Sequence, residues 1–344
     1  MGNAHTIDDL RQMQAAPLSV KVRMTQSRIR DWVNWFGVDG VYVSFSGGKD
    51  STVLLHLVRE MYPEVPAVFC DTGLEFPEIR DFVKTWDNVE WLKPKMTFRQ
   101  VIEKYGYPFI SKEVSQNVYD IRKYGKKESL YAYDRFNPNS EHNKKYNGRY
   151  SLEKYSFLLS DDAPMLSGKC CTVMKKDIAK RYEKQQNRKG IIGTLASESR
   201  LRTMSWIKYG CNAFDAKRQS SKPMSFWMEQ DVLNYIKENH VRIAPIYGEV
   251  VEAGELTGQM TWDDYCGFQT GQKILKTTGR QRTGCMFCGF GCKPGQSGEN
   301  NFVDMKRTHP KQYEYIMKPW PEGGLCYKDV IDWLNEHGNL NIRY

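Results

Sequence analysis

Six consecutive residues, Ser46-Gly47-Gly48-Lys49-Asp50-Ser51, constrain this chain more than any others because of what flanks them. Before them, Gly40-Val41-Tyr42-Val43-Ser44-Phe45 is a β-branched and aromatic run suited to a buried parallel strand. After them, Val53, Leu54, Leu57, Val58 and Met61 recur at helical spacing until Pro63 stops the pattern. A glycine pair at a strand-to-helix junction lets backbone N–H groups approach an anion closely, and the helix N-terminus adds positive partial charge. Lys49 brings a full charge, Ser44, Ser46 and Ser51 bring hydroxyls, and Asp50 is a carboxylate able to hold Mg²⁺ on a bound phosphate. The junction therefore reads as a triphosphate site. It is not G-x-x-x-x-G-K-[ST], since its glycines abut the lysine. A chance turn accounts for the glycines but not for the whole ordered set.

The same alternation continues downstream. Ala67 to Cys70 reads as a strand delivering Asp71-Thr72-Gly73, Pro77 opens a helix running to Trp86, Val89 to Leu92 is a strand, and Phe98 to Tyr105 a helix. Gly190 to Thr194 is a further strand, Phe226 to Ile236 a helix, and Tyr327 to His337 a closing amphipathic helix. Strands alternating with helices predict an α/β fold with a doubly wound, mainly parallel sheet. Residues 1–37 read as a helical lead-in, 38–250 as the nucleotide-binding domain, and 251–344 as a cysteine-containing C-terminal extension. Residues 121–150, rich in Lys, Arg, Tyr and Asn, read as a basic surface insertion; the functional alternative is a nucleic-acid contact.

Fifty basic against 41 acidic side chains give a net charge of +9, which favours nucleotides or nucleic acid as partners, although solubility alone explains much of it. No run of about 18 apolar residues is present and Met1–Gln14 lacks an apolar signal region, so no membrane partner and a cytoplasmic location are expected. Nine cysteines are grouped rather than scattered. Cys285-Met286-Phe287-Cys288 is a C-x-x-C turn; with adjacent Cys170-Cys171 it offers four soft ligands, and Cys292 a fifth thiol. Zn²⁺ in a Cys₄ site is the plainer alternative to a cluster. Cys70, Cys211, Cys266 and Cys326 stand alone and read as small buried hydrophobes.

Ser46–Ser51 resembles the SGGxDS signature of PP-loop ATP pyrophosphatases, which cleave ATP between the α- and β-phosphates. Asp71-Thr72-Gly73 with Phe76-Pro77-Glu78 is similar to the D-T-G…F-P-E segment of sulfate adenylyltransferase small subunits and the phosphoadenosine phosphosulfate (PAPS) reductase group. Gly193 to Arg202 is similar to that group's G-x-R-x-x-E-S-x-x-R segment, with Leu195 where arginine is usual. The resemblance implies an adenine nucleotide alpha hydrolase-like fold, ATP and Mg²⁺ as ligands, Lys49, Asp50, Arg200 and Arg202 as catalytic residues, and Asp71, Thr72, Gly193, Glu198 and Ser199 in nucleotide binding. Cys170-Cys171 with Cys285 and Cys288 is similar to the [4Fe–4S] pattern of assimilatory adenylylsulfate reductases. Cys285, Cys288 and Cys292 alone look like the three-ligand cluster of PP-loop tRNA thiolases, so four-ligand and three-ligand arrangements both stand.

An intact loop implies ATP itself as substrate, because the reductases generally carry a degenerate one. The E-C-G-[LI]-H tail of those reductases is not found before Tyr344. Expected is therefore an ATP pyrophosphatase activating a substrate for sulfur transfer, close in kind to DNA phosphorothioation ATP pyrophosphatases and tRNA thiolases. Its expected partners are an adenine nucleotide, a nucleic-acid substrate and a sulfur donor such as a cysteine desulfurase. A sulfonucleotide reductase and a zinc-stapled nucleic-acid-binding protein are the competing classes. No residue decides between monomer and homodimer.

Overall fold

β1 (Val41–Ser44) is flanked in parallel by β2 (Ala67–Cys70), which in turn pairs with β3 (Val89–Leu92). On its other side it pairs in parallel with a strand formed far downstream, Lys189–Ile192. The computed structural model describes residues 5–253, 274–290, 292 and 300–344, so the expectation for Cys266 falls outside it. The chain forms two units: Met1–Asp71, Glu75–Lys93 and Ile178–Thr283; and Thr72–Leu74, Pro94–Asp177 and Gly284–Tyr344. Each gathers distant pieces, so the units cut across the segments 1–37, 38–250 and 251–344.

In the first unit, α1 (Ile7–Ala15) starts from a capping box between Thr6 and Asp9, and Pro17 separates it from α2 (Leu18–Phe36). One face of α2 buries Thr25, Ile29, Trp32 and Val33, whereas Trp35 stays exposed. The buried Lys21 on that face is held by Asp231 at 2.6 Å. α3 (Lys49–Met61) follows β1 and buries Val53, Leu54, Leu57 and Val58 completely. Each such burial contributes about 1.5–3 kcal/mol. α4 (Pro77–Lys84) has proline in its first turn and ends two residues before Trp86.

The second unit opens with α5 (Phe98–Tyr105), capped by Thr97 and Gln100, and the short β4 (Phe109–Ile110). α6 (Lys112–Glu128) bends where Gly125 adopts a φ of 76°, and α7 (Leu130–Phe136) and α8 (Glu141–Lys145) follow. The Lys- and Tyr-rich segment is thus helical, anchored by few buried residues, among them Ala132 and Phe136. α9 (Lys169–Cys171) runs into a π-helical turn, Thr172–Lys176; α10 (Asp177–Gln186) follows and from Ile178 onward belongs to the first unit.

The chain then completes the sheet with β5 (Lys189–Ile192), β6 (Asn212–Ala213) and β7 (Ser220–Ser221), in the order β3-β2-β1-β5-β7-β6. Only the β6–β7 pair is antiparallel. The path moves outward from β1 through β3 and then resumes on the opposite side of β1, which under right-handed crossovers clothes both faces with helices: a doubly wound sheet. The reversal makes the ends of β1 and β5 the switch point, where such sheets open a ligand crevice. α11 (Arg200–Tyr209) and α12 (Glu229–Glu238) belong here too. Phe226 and Trp227 precede α12 as fully buried residues because the Asp231 carboxylate caps the Met228 N–H at 2.6 Å and sets the helix start. β8 (Val250–Glu252) pairs antiparallel with β9 (Leu275–Thr277). In the second unit β10 (Gly289–Phe290) pairs in parallel with β4, and helices Asn301–Thr308, Pro310–Met317 and Tyr327–Gly338 follow. Among the described residues, no helix is long and apolar enough to cross a membrane.

Candidate functional site

At the switch point the chain leaves β1 and enters α3 through Ser46-Gly47-Gly48. Gly47 has a φ of 71°, and a Cβ there would meet Ile79 and Val83 of α4 at 2.7 and 2.9 Å, so conformation and packing both require glycine. The loop is held by its hydroxyls: Ser51 Oγ accepts from Ser46 N–H at 3.2 Å, Ser46 Oγ accepts from Gly48 N–H at 3.3 Å, and Ser51 Oγ donates to Gly48 O at 2.9 Å. Lys49 N–H donates to Tyr247 Oη at 3.3 Å. Hydroxyl oxygens thus occupy acceptor positions on amides that open α3, where phosphate oxygens are favoured.

A cavity of about 410 Å³ opens on this loop, lined by Ser46, Gly48, Lys49, Asp50, Ser51, Gly193, Glu198, Tyr247, Arg282 and Thr283. Lys49 is only 4% exposed, so its charge must be compensated locally. Its Nζ lies 3.0 Å from Glu229 Oε1 and donates to Gln281 O at 3.0 Å. Asp50 is driven above the usual carboxylate range by burial, opposed by Lys49 and reinforced by Glu229. Its Oδ1 is buried with no hydrogen-bond partner, an orphaned anionic oxygen of the kind a hard cation takes up. Arg202 and Arg282 both act electrostatically on Asp50, and both form ion pairs with Glu198. Burial lowers the Arg202 pKa.

Of the residues expected in nucleotide binding and catalysis, Ser46, Gly48, Lys49, Asp50, Ser51, Gly193 and Glu198 line this cavity. Ser44, Gly47, Asp71, Thr72, Ser199, Arg200 and Arg202 are not part of the lining. Ser199 instead caps α11 through the Arg202 N–H. Asp71 is 7% exposed and accepts from Arg80 at 3.0 Å, with Oδ1 buried and unpartnered. Tyr247, Arg282, Thr283 and the Lys49 partners Glu229 and Gln281 were not foreseen. Tyr247 carries no local signal, whereas Arg280-Gln281-Arg282 just before the C-x-x-C turn was a readable one.

The second unit holds a separate cavity of about 340 Å³, lined by Cys170, Cys171, Cys285 and Cys288 with Leu74, Phe98, Pro108, Met174, Lys175 and Phe287. Cys170-Cys171 arrive on α9 just before the π-helical turn, a distortion frequent at functional sites. The C-x-x-C turn closes with Cys288 N–H donating to Cys285 O at 3.1 Å, and Met286 N–H is tied to Leu74 O at 2.7 Å. The Cys170 thiol donates a hydrogen bond that, with the Lys112 and Lys175 charges, pulls the Cys171 thiol below its ordinary range, while Cys170 is raised. Burial pushes Cys288 up to about 12 and Cys292 to about 11. Cys292 is buried, outside the lining, yet near enough to act electrostatically on Cys288. Among the described residues no three His, Cys, Asp or Glu side chains gather as around a single metal ion. Cys211 is buried as expected; Cys70 and Cys326 are half-buried, correcting the reading of both as core residues. Cys70 is the last residue of β2, and Cys326 donates to the exposed Asp329 carboxylate at 2.8 Å.

The pattern describing the phosphoadenosine phosphosulfate reductase domain matches residues 40–292. The chain belongs to that family. Within the PAPS reductase domain family, it is 34% identical over 75 residues to a phosphoadenosine 5′-phosphosulfate reductase of Photorhabdus laumondii, covering 21% of this chain and 31% of the relative. It is 43% identical over 60 residues to the enzyme of that name from Buchnera aphidicola, covering 17% and 24%. An uncharacterised protein of Methanocaldococcus jannaschii is 41% identical over 73 residues, covering 20% and 18%. The matches thus span less than a third of these relatives' lengths. Among solved structures, a PAPS reductase from Candida auris is similar at a TM-score of 0.37 and 16% identity, covering 71% of this chain and 92% of that one. A U34-tRNA thiolase from Methanococcus maripaludis with its [4Fe–4S] cluster is similar at 0.31 and 14% identity, covering 65% and 66%.

Proposed function

We propose that this member of the PAPS reductase domain family is an ATP pyrophosphatase that prepares a substrate for sulfur transfer. The observation carrying the reading is the loop cavity, with a complete Ser-Gly-Gly-Lys-Asp-Ser set and an unpartnered buried Asp50 oxygen. ATP would lie with its β,γ-phosphates on the loop amides, Lys49 and Arg282. Asp50 fits a Mg²⁺ ion, which supplies charge neutralisation on the phosphates when bound. A substrate oxygen attacks the α-phosphorus, a P–O bond forms, the bond to the β-phosphate oxygen breaks, and pyrophosphate leaves with the displaced charge. A sulfide-level sulfur nucleophile delivered by a donor then bonds to the substrate atom that bears the adenylylated oxygen, the bond to that oxygen breaks, and AMP leaves with it. The chain's own part is positioning and electrostatic stabilisation by Lys49, the loop amides and Arg202.

The thiol cavity fits a [4Fe–4S] cluster held by Cys170, Cys171, Cys285 and Cys288. Its lining outside the thiols is apolar but for Lys175, and thiols around a space suit a polynuclear group better than one ion. Such a cluster supplies redox or sulfide-binding chemistry when bound. Release of AMP and pyrophosphate from ATP and Mg²⁺, tested with and without candidate acceptors, checks the main reading; no release under any condition refutes it. Family membership also favours a sulfonucleotide reductase, for which sulfite release from adenylylsulfate or PAPS with thioredoxin is the test.

A further inference from the structure

The helical segment around α7 and α8 carries chemistry that neither cavity uses. Between 121 and 150, eight Lys and Arg stand against three Asp and Glu. Two of the cations are committed internally: Arg122 donates to the Ala163 carbonyl at 2.7 Å, and buried Arg135 donates to Glu113 at 2.7 Å. Lys126, Lys127, Lys144, Lys145 and Arg149 are exposed.

Among these cations runs a row of rings. Tyr131 and His142 have centroids 5.2 Å apart, His142 and Tyr146 5.0 Å, and Tyr146 and Tyr150 5.4 Å. Lys145 flanks the ring of Tyr146 and Arg149 that of Tyr150. Rings recruited to hold helices together are buried, whereas Tyr131 is 64% and Tyr146 42% exposed. Open rings with adjoining cations are the components of a base-stacking surface.

Beside the rings lies an open groove of about 840 Å³, lined by Pro138, Asn143, Lys144, Asn147, Ser151 and Glu153. Asn143 is 3% exposed and spends its amide N–H groups on the carbonyls of Asp134, Arg135 and Asn137. Its Oδ1 is buried without a partner. A buried acceptor left unmet is costly, and a groove mixing amide and hydroxyl groups with one cation and the Glu153 carboxylate, itself an acceptor, suits a sugar that carries a 2′-hydroxyl donor.

We propose that this face binds an unpaired RNA strand, its bases stacked on Tyr131 and Tyr146, its phosphates near Lys144, Lys145 and Arg149, and its ribose hydroxyls in the Asn143 groove. That the bound RNA is also the molecule activated for sulfur transfer rests on the ATP reading above; the binding does not.

Fluorescence anisotropy with a labelled, unstructured RNA about 12 nucleotides long, within the footprint of such surfaces, tests it on the full chain. Affinity should fall steeply between about 50 and 200 mM salt, and K144A/K145A/R149A should reduce the slope of log affinity against log salt by about 2. Tyr131→Ala and Tyr146→Ala should each weaken binding roughly tenfold without changing that slope. Absence of binding, indifference to both sets of substitutions, or equal affinity for DNA of the same sequence or for a duplex overturns the proposal. Melting curves confirm that the variants fold. AMP release and RNA binding are read separately: Lys49→Met should bind RNA as the parent does. Lost RNA binding with AMP release intact removes only this inference, and the converse removes only the ATP reading.

Discussion

Lys49 is the residue on which the phosphate loop turns, and its surroundings set a competition. A buried ammonium needs a counter-charge, and Glu229 provides it at 3.0 Å. Incoming phosphate oxygens must displace that carboxylate or share the ammonium with it. Glu229→Gln should therefore tighten the binding of pyrophosphate with Mg²⁺ several-fold by calorimetry, whereas Lys49→Met should lower AMP release by about 10²–10³. Weaker pyrophosphate binding in the glutamine variant would show that Glu229 supports the site rather than competing in it. Lys49 and Asp50 were legible because the order of residues in one short loop carries its own chemistry. Glu229 and Tyr247 were not, because each meets Lys49 from a distant part of the chain and nothing in its local sequence announces that placement; Arg282 was overlooked although the cations of Arg280-Gln281-Arg282 stand out.

At the scale of elements, strands and helices near the loop were readable to within a few residues, since β-branched runs and helical spacing alternate cleanly from Val41 to Tyr105. The helices of 112–145 were missed because their apolar positions are sparse; burial of Val114, Val118, Ala132 and Phe136 outweighs the polar composition. The end of β5 packs closely on the start of α3. A Cβ on Gly193 would lie 3.0 Å from Asp50 O and 3.2 Å from Ser51 Cα, both backbone atoms that cannot rotate away. Gly193→Ala should displace the first turn of α3, weakening pyrophosphate binding about tenfold or more while far-UV circular dichroism is unchanged; undiminished affinity would mean that the turn yields freely. α10 makes a second, titratable contact. Tyr182 packs on Tyr42 and Val68, donates to Glu90 at 2.7 Å and accepts from Arg188 at 2.9 Å. Burial first, then the hydrogen bond to Glu90, pushes its phenol up to about 12. The folded chain thus favours the neutral phenol, a contribution whole below the ordinary tyrosine pKa of about 10 and lost as pH rises towards the folded value. Tyr182→Phe should flatten the fall in melting temperature between about pH 10 and 12; an unchanged profile would place the titration elsewhere.

Across the whole molecule, the residues that line the loop cavity all belong to the first unit and the thiols of the second cavity all belong to the other. The chain passes between the units several times, and at Thr283-Gly284-Cys285 a residue lining one cavity and a residue lining the other are separated by a single glycine. If the thiols hold a [4Fe–4S] cluster, anaerobically isolated protein should contain about four iron and four sulfide per chain. Serine at Cys170, Cys171, Cys285 or Cys288 should lower that content, and Cys292→Ser should leave it intact. A ligand bound only by the folded chain raises stability by mass action, so stripping the metal with a chelator should lower the melting temperature by on the order of 10 °C. Because no thiol lines the loop cavity, the same treatment should leave pyrophosphate affinity unchanged. A shift in that affinity on metal removal would mean that the short Thr283–Cys285 link transmits strain, and the two sites would then have to be treated as one coupled system.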